Sequence, residues 1–323
     1  MTPARIAVLS WLLSLVFAVG NSAAQKINFS FSSLNGIQSP LWIAQDAGFF
    51  KKHRVDVDLV HMAGGDIIVE EMLAGRLQMA ISAPGAVLRA KQRGVDFTYI
   101  GALSNRIDYV VVAQKDIKSF RELRGRKIAI GRFSSGPEYA GRMVFEKVGM
   151  RVGKDVFFTE TFGGQPTRLA MLQTGAIDAV VLTPPHTLRA KQLGFNAVLD
   201  YASVIPHFFS SGYFTRRKYI SENPRTYENI LKALIDSTKY VFSDAPGTIK
   251  ILARHLKIND EAFLRTYYRD VLLDQLDRDL YPDPQGVDML MEQERLANPK
   301  AVKIKPEDFI DTSILDKLRK DGY

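Results

Sequence analysis

Cysteine is missing altogether from the 323 residues. That absence excludes disulfides, thiolate metal sites and a cysteine nucleophile, and leaves no cysteine to carry a lipid. Histidine is scarce, and His53, His61, His186, His207 and His255 are scattered without metal-ligand spacing. No Gly-x-Ser-x-Gly, Gly-x-Gly-x-x-Gly, P-loop or His-Glu-x-x-His pattern occurs, so the enzymes those motifs mark have no support here. Neither a cofactor nor a metal is expected. Runs of basic residues are missing as well: 43 Lys and Arg are spread among 35 acids, for a formal charge of +8. Without a basic stripe, nucleic acid is not an expected partner.

One long apolar run is present, Ile6 through Val19, preceded by Arg5 and followed by Asn21-Ser22-Ala23-Ala24-Gln25. It falls short of the ~20 residues of a spanning helix. A basic start, an apolar stretch and small residues at 22 and 24 read as a secretory signal, residues 1–24, cut after Ala24. An unlipidated export product is expected in a periplasm, with plain secretion as the alternative.

Beyond residue 25, period-two alternation at Ile27–Phe31 and Val55–Leu59 predicts half-buried strands. Ser39-Pro40 opens a helix that Gly48 closes; a second helix runs from Ile67 to Gly75, and Leu77–Ser82 is a strand. A helix from Pro84 to Gly94 precedes a strand at Val95–Leu103. Strands alternating with helices predict an α/β sheet. The same order then returns. Leu88-Arg89-Ala90-Lys91-Gln92-Arg93-Gly94 reappears as Leu188-Arg189-Ala190-Lys191-Gln192-Leu193-Gly194, and at the same 100-residue offset Gly64 meets Gly164, Gly75 meets Gly175 and Pro84 meets Pro184. Turn, strand and next helix stay in register, which points to two lobes on one plan. Residues 25–107 and 214–323 are expected to form lobe 1, and 108–213 lobe 2. Helices dominate after Ser221 and are expected to pack back on lobe 1. The chain then crosses between lobes twice, through Tyr109–Ala113 and Ser211–Thr215, a two-segment hinge.

Four stretches resemble a known family: Pro40-Leu41-Trp42-Ile43-Ala44-Gln45-Asp46-Ala47-Gly48-Phe49-Phe50; Gly64-Gly65 leading to Leu73-Ala74-Gly75-Arg76-Leu77-Gln78-Met79-Ala80; Leu123-Arg124-Gly125-Arg126-Lys127-Ile128-Ala129-Ile130-Gly131; and Leu172-Gln173-Thr174-Gly175-Ala176-Ile177-Asp178-Ala179. They are similar to the nitrate/sulfonate/taurine-type periplasmic solute-binding proteins of ABC importers, which include binders of thiamine-precursor pyrimidines. The resemblance implies a type II periplasmic-binding fold, a small-molecule ligand between two lobes, a membrane permease as partner and no catalysis. A monomer is expected.

In open α/β sheets ligands sit beyond the carboxyl ends of the strands, where helix-start amides are unpaired. Applied to each lobe, that rule selects Asn35, Gly36, Ser39, Gly65, Asp66, Ser82 and Ala83 in the first and Arg132, Ser134, Ser135, Gly164, Gln165, Thr183, Pro184 and His186 in the second. Ser135 and Glu138 fit a capping box, which would leave Ser134 as the freer donor and put a carboxylate near any bound anion. Arg132 fits bidentate pairing with a carboxylate or sulfonate, or a solvated loop. Trp42 fits stacking on a planar ligand, or the core. His186 fits an anion donor or an ordinary loop. Tyr109 and Tyr213 fit closure over the ligand or hinge packing. A small organic ligand, anionic or aromatic, follows as the expectation. A same-fold biosynthetic enzyme and a periplasmic sensing receptor are the alternatives.

Overall fold

The computed structural model describes residues 26–133, 135–297 and 303–323; the signal-like segment 1–24 and Ser134 lie outside them. Among the described residues ten strands form two five-stranded sheets. The first contains β1 (Ile27–Phe31), β2 (Val57–His61), β3 (Met79–Ser82), β4 (Phe97–Ser104) and β10 (Ser211–Arg216) in the order β2-β1-β3-β10-β4. The second contains β5 (Val110–Ala113), β6 (Lys127–Ala129), β7 (Phe157–Thr159), β8 (Ala179–Leu182) and β9 (Asn196–Asp200) in the order β7-β6-β8-β5-β9. In each sheet three parallel strands are followed by one antiparallel strand that separates the third from the fifth. β1, β2 and β3 begin at residues 27, 57 and 79, and β6, β7 and β8 at 127, 157 and 179, so the offset seen in the helix ends carries through the strands.

Central strands read as continuous apolar runs because helices cover both faces. β8, Ala-Val-Val-Leu, is buried at all four positions. The long helix Pro224–Ser243 buries Tyr227, Ile230, Leu231, Leu234, Thr238 and Val241, a stripe at three- and four-residue spacing. That stripe joins Leu41 and Trp42 of the helix Ser39–Asp46 in one core cluster with β1 and β3, so the C-terminal helices pack on the first sheet. The far edge of that sheet is closed too: Leu280 accepts a backbone bond from Ala102, and Asp311 donates one to Tyr99. An edge strand covered by irregular chain offers no template for association.

The expected hinge segments sit differently. Val110–Ala113 and Ser211–Arg216 are the antiparallel strands within the sheets, held on both sides by ladders. The crossings lie just before them and run side by side, tied by backbone bonds from Ser210 to Ser104 and from Tyr201 to Tyr109, at 3.1 and 3.0 Å. An alternating β-prone run reads the same in sequence whether it links two sheets or completes one. Tyr213 is fully buried in the first core, whereas Tyr109 faces the space between the sheets.

Candidate functional site

A cavity of about 750 Å³ opens between the two sheets. Its walls are the loops leaving β1, β2, β3, β6, β7 and β8, and two further contributions: Tyr109, Ser210 and Ser211 from the crossings, and His255, Leu256 and Lys257 from the end of the helix Ala245–Leu256. Of the residues selected from sequence, Asn35, Gly65, Ser82, Ala83, Arg132, Ser135, Gly164, Gln165, Thr183 and His186 line it.

Five selected residues stand elsewhere. Gly36 lies under the Tyr267 ring, where any Cβ would clash with the phenol. Ser39 is fully buried at the start of its helix. Trp42 is fully buried in the core. Asp66 turns outward to Arg89 at 2.8 Å. Pro184 sits behind the wall, while Thr183 and His186 on either side of it reach the cavity.

The capping box is not formed. Ser135 is the N-cap of the helix Gly136–Lys147, but its side chain accepts no bond from that helix; its hydroxyl is buried without a partner among the described residues, in a residue that lines the cavity. Glu138 pairs with Arg142 one turn along its own helix, which takes its carboxylate away from the cavity. Ser135 is therefore not spent on capping, and the expectation for Ser134 lies outside the described residues. Gln165 and Thr183 are spent on each other: the Gln165 amide donates to the Thr183 hydroxyl at 2.7 Å and accepts from its backbone N–H at 2.7 Å, fastening the helix Gly164–Gln173 to the end of β8. That helix starts from Gly163 and Gly164 at φ 94° and 80°, a left-handed pair that glycine alone adopts without strain.

Arg168, in the second turn of the same helix, is the group that sequence reading passed over. It lines the cavity and is nine-tenths buried. Its Nε donates to the Val181 carbonyl at 3.0 Å, and among the described residues no carboxylate pairs with it. Burial pulls its guanidinium down to about 10, so it remains a cation at neutral pH. Helical side chains lean toward the N-terminus, which carries Arg168 back to the helix start and into the cleft. A cation placed there opposes the helix dipole, and that mismatch was its sequence signal. Burial, and then Arg168, lower His186 to about 4, so it faces the cavity neutral. Arg132 reaches over the Phe162 ring at 5.1 Å, on the rim, with its Nε 3.9 Å from the Glu160 carboxylate.

Among the described residues no Asp or Glu lines the cavity; Arg168 and Lys257 do, while Arg132 shares its charge with Glu160 behind the rim. The lining is built to receive negative charge. Asn35 and Gln38 line the first-sheet side, and their side-chain oxygens are buried without partners among the described residues. Among the described residues no three His, Asp or Glu side chains gather as a metal site.

Comparison with known proteins fits this architecture. A protein of Brucella abortus (strain 2308) described as a binding protein is 26% identical over 230 residues, 69% of each chain. The 4-amino-5-hydroxymethyl-2-methylpyrimidine phosphate synthase of Aspergillus parasiticus is 22% identical over 223 residues, 64% of this chain and 63% of that one. The crystal structure of the periplasmic nitrate-binding protein NrtA from Synechocystis PCC 6803 superposes with a TM-score of 0.75 at 14% identity, covering 93% of this chain and 89% of that one. The fold is that of the periplasmic binding proteins. The family model described as NMT1/THI5 like matches residues 36–246, more than half of the chain, and the chain belongs to that family.

Proposed function

We propose that this protein is the solute-binding component of an ABC-type importer, exported to the periplasm, where as a monomer it captures a small organic anion and presents it to a membrane permease. Arg168 carries the reading: a buried cation without a counter-charge, aimed into a cavity between two sheets, costs free energy unless a ligand anion completes it. The free hydroxyl of Ser135 supplies a second contact. Closure of the two halves would then exclude water around the pair. Nothing is transformed in this reading; the cavity binds and releases.

The kinship with a pyrimidine synthase favours a second reading, a biosynthetic enzyme on the same fold. The chain has no cysteine nucleophile and no Gly-x-Ser-x-Gly, Gly-x-Gly-x-x-Gly, P-loop or His-Glu-x-x-His pattern, which weighs against it. Thermal unfolding of the chain from residue 25, measured with nitrate, alkylsulfonates, aromatic carboxylates and pyrimidines, tests the proposal. A bound anion at ~100 times its dissociation constant adds ~2.7 kcal/mol of stability. Loss of uptake of that anion in a deletion strain then separates import from sensing. Stabilisation by pyrimidines alone, with no anion effective, would overturn the anionic reading.

A further inference from the structure

Trp42 and His255 lie face to face, with ring centroids 4.7 Å apart and planes 3° from parallel. Trp42 and Asp46 are four residues apart on the helix Ser39–Asp46 and so share one face of it. Together they hold the imidazole from two directions. Trp42 covers one of its faces, and the Asp46 carboxylate bonds its Nε2 edge at 3.0 Å while also taking Arg254 at 2.7 Å. The imidazole is thus fixed in plane and in rotation. It lines the cavity and keeps a quarter of its side-chain surface exposed, although the tryptophan behind it has none.

Resting on the proposed function, we infer that the open face of His255 is a stacking platform for a planar group of the ligand, so that Trp42, His255 and ligand form a three-ring stack and the preferred solutes are conjugated or aromatic acids. The acid group goes to Arg168 and Ser135, and the flat body lies on the imidazole. Offset stacking rewards a flat π surface over a puckered ring of the same size. A platform whose orientation is already fixed pays little ordering cost when the ligand arrives. The rest of the lining suits a flat body: Ile37, Pro137, Leu256 and Phe162 are apolar and come from both halves and the C-terminal helices.

Benzoate and cyclohexanecarboxylate carry the same charge on a flat and a puckered ring, and serve as the probe pair. With Trp11 lying in the signal-like segment, Trp42 is the one tryptophan of residues 25–323, so its emission reports on its neighbour His255. Calorimetric titration is expected to show benzoate bound about fivefold more tightly than cyclohexanecarboxylate, the scale of one aromatic pair, with a change in Trp42 emission on benzoate binding. His255→Leu should erase the preference and the emission change, and His255→Phe should retain the preference. Arg168→Met should weaken both acids alike. Equal affinities in the wild type, a preference that survives His255→Leu, or failure of both acids to bind would overturn the platform. Equal affinities that both fall in Arg168→Met would leave the anion reading standing, whereas affinities unmoved by Arg168→Met would remove that reading instead.

Discussion

The Nε of Arg168 donates to the carbonyl oxygen of Val181 at 3.0 Å, the side chain of one helix tied to the strand it packs on. The tether fixes the guanidinium at the cavity wall and leaves its remaining N–H groups for a ligand. Replacing it separates two effects that usually move together. Arg168→Met should reduce anion affinity at least ~100-fold, the scale of truncating one member of a buried charge pair. The empty protein should hold or gain stability, because an uncompensated buried cation is removed. Titration and chemical denaturation of the same variant check both signs; a large loss of stability without ligand would mean that Arg168 is structural.

Ser135→Ala distinguishes a cap from a ligand donor. Loss of a working N-cap costs ~1 kcal/mol of stability, but the Ser135 hydroxyl makes no capping bond. Denaturation midpoints should therefore shift by less than the equivalent of ~0.5 kcal/mol. Ligand affinity should fall about tenfold, as for a hydrogen bond to a charged partner. A destabilised variant with unchanged affinity would restore the capping role.

Gly36→Ala should cost about 1–3 kcal/mol by overpacking. A Cβ at this position would run into the Tyr267 hydroxyl and stand 2.6 Å from its ring carbons. Because the hydroxyl is the nearest atom and has no partner, Tyr267→Phe in the same chain should recover part of the loss. A double-mutant cycle by urea denaturation measures that coupling; strict additivity would show that the clash is relieved elsewhere.

Two buried groups should give opposing pH dependence. Burial lowers His186 to about 4 from its ordinary 6.5, so between those values the unfolded chain binds more protons and stability rises with pH. His61, lowered by burial, acts in the same sense. Burial raises Asp108 to about 7 from 3.8, so the folded chain holds the extra proton and stability falls as pH rises through that window. At ~1.36 kcal/mol per unit the shifts amount to roughly 3 kcal/mol for His186 and roughly 4 kcal/mol for Asp108, of opposite sign over the window they share. His186→Gln should make stability fall between pH 4.5 and 6.5, and Asp108→Asn should make it rise. Parallel profiles for the two variants would contradict this assignment.

Much of the site was legible because a strand end followed by a glycine-rich helix start is a local pattern. The loops at 35, 65, 82, 132, 164 and 183 converge on the cavity because each follows a parallel strand. What escaped were contacts made by tertiary packing alone. Arg168 reads as a surface helix residue until its backward reach and burial are known. His255 and Lys257 arrive from a helix far along the chain, without any motif to mark them. Trp42, beside a cleft loop in sequence, turns into the core and acts on the cavity only through His255.

The fourth position of each sheet is filled by a strand that follows a crossing. In the first sheet β10 lies between β3 and β4, so residues 27–104 alone cannot join their own strands into one sheet. The gap closes only when residues 211–216 are in place, after the whole of the second sheet has been made. The two halves are therefore interleaved in time as well as in space: during synthesis β1, β2 and β3 can pair at once, while β3 and β4 wait for the strand that joins them. A truncation anywhere before residue 216 leaves an open edge in the first sheet.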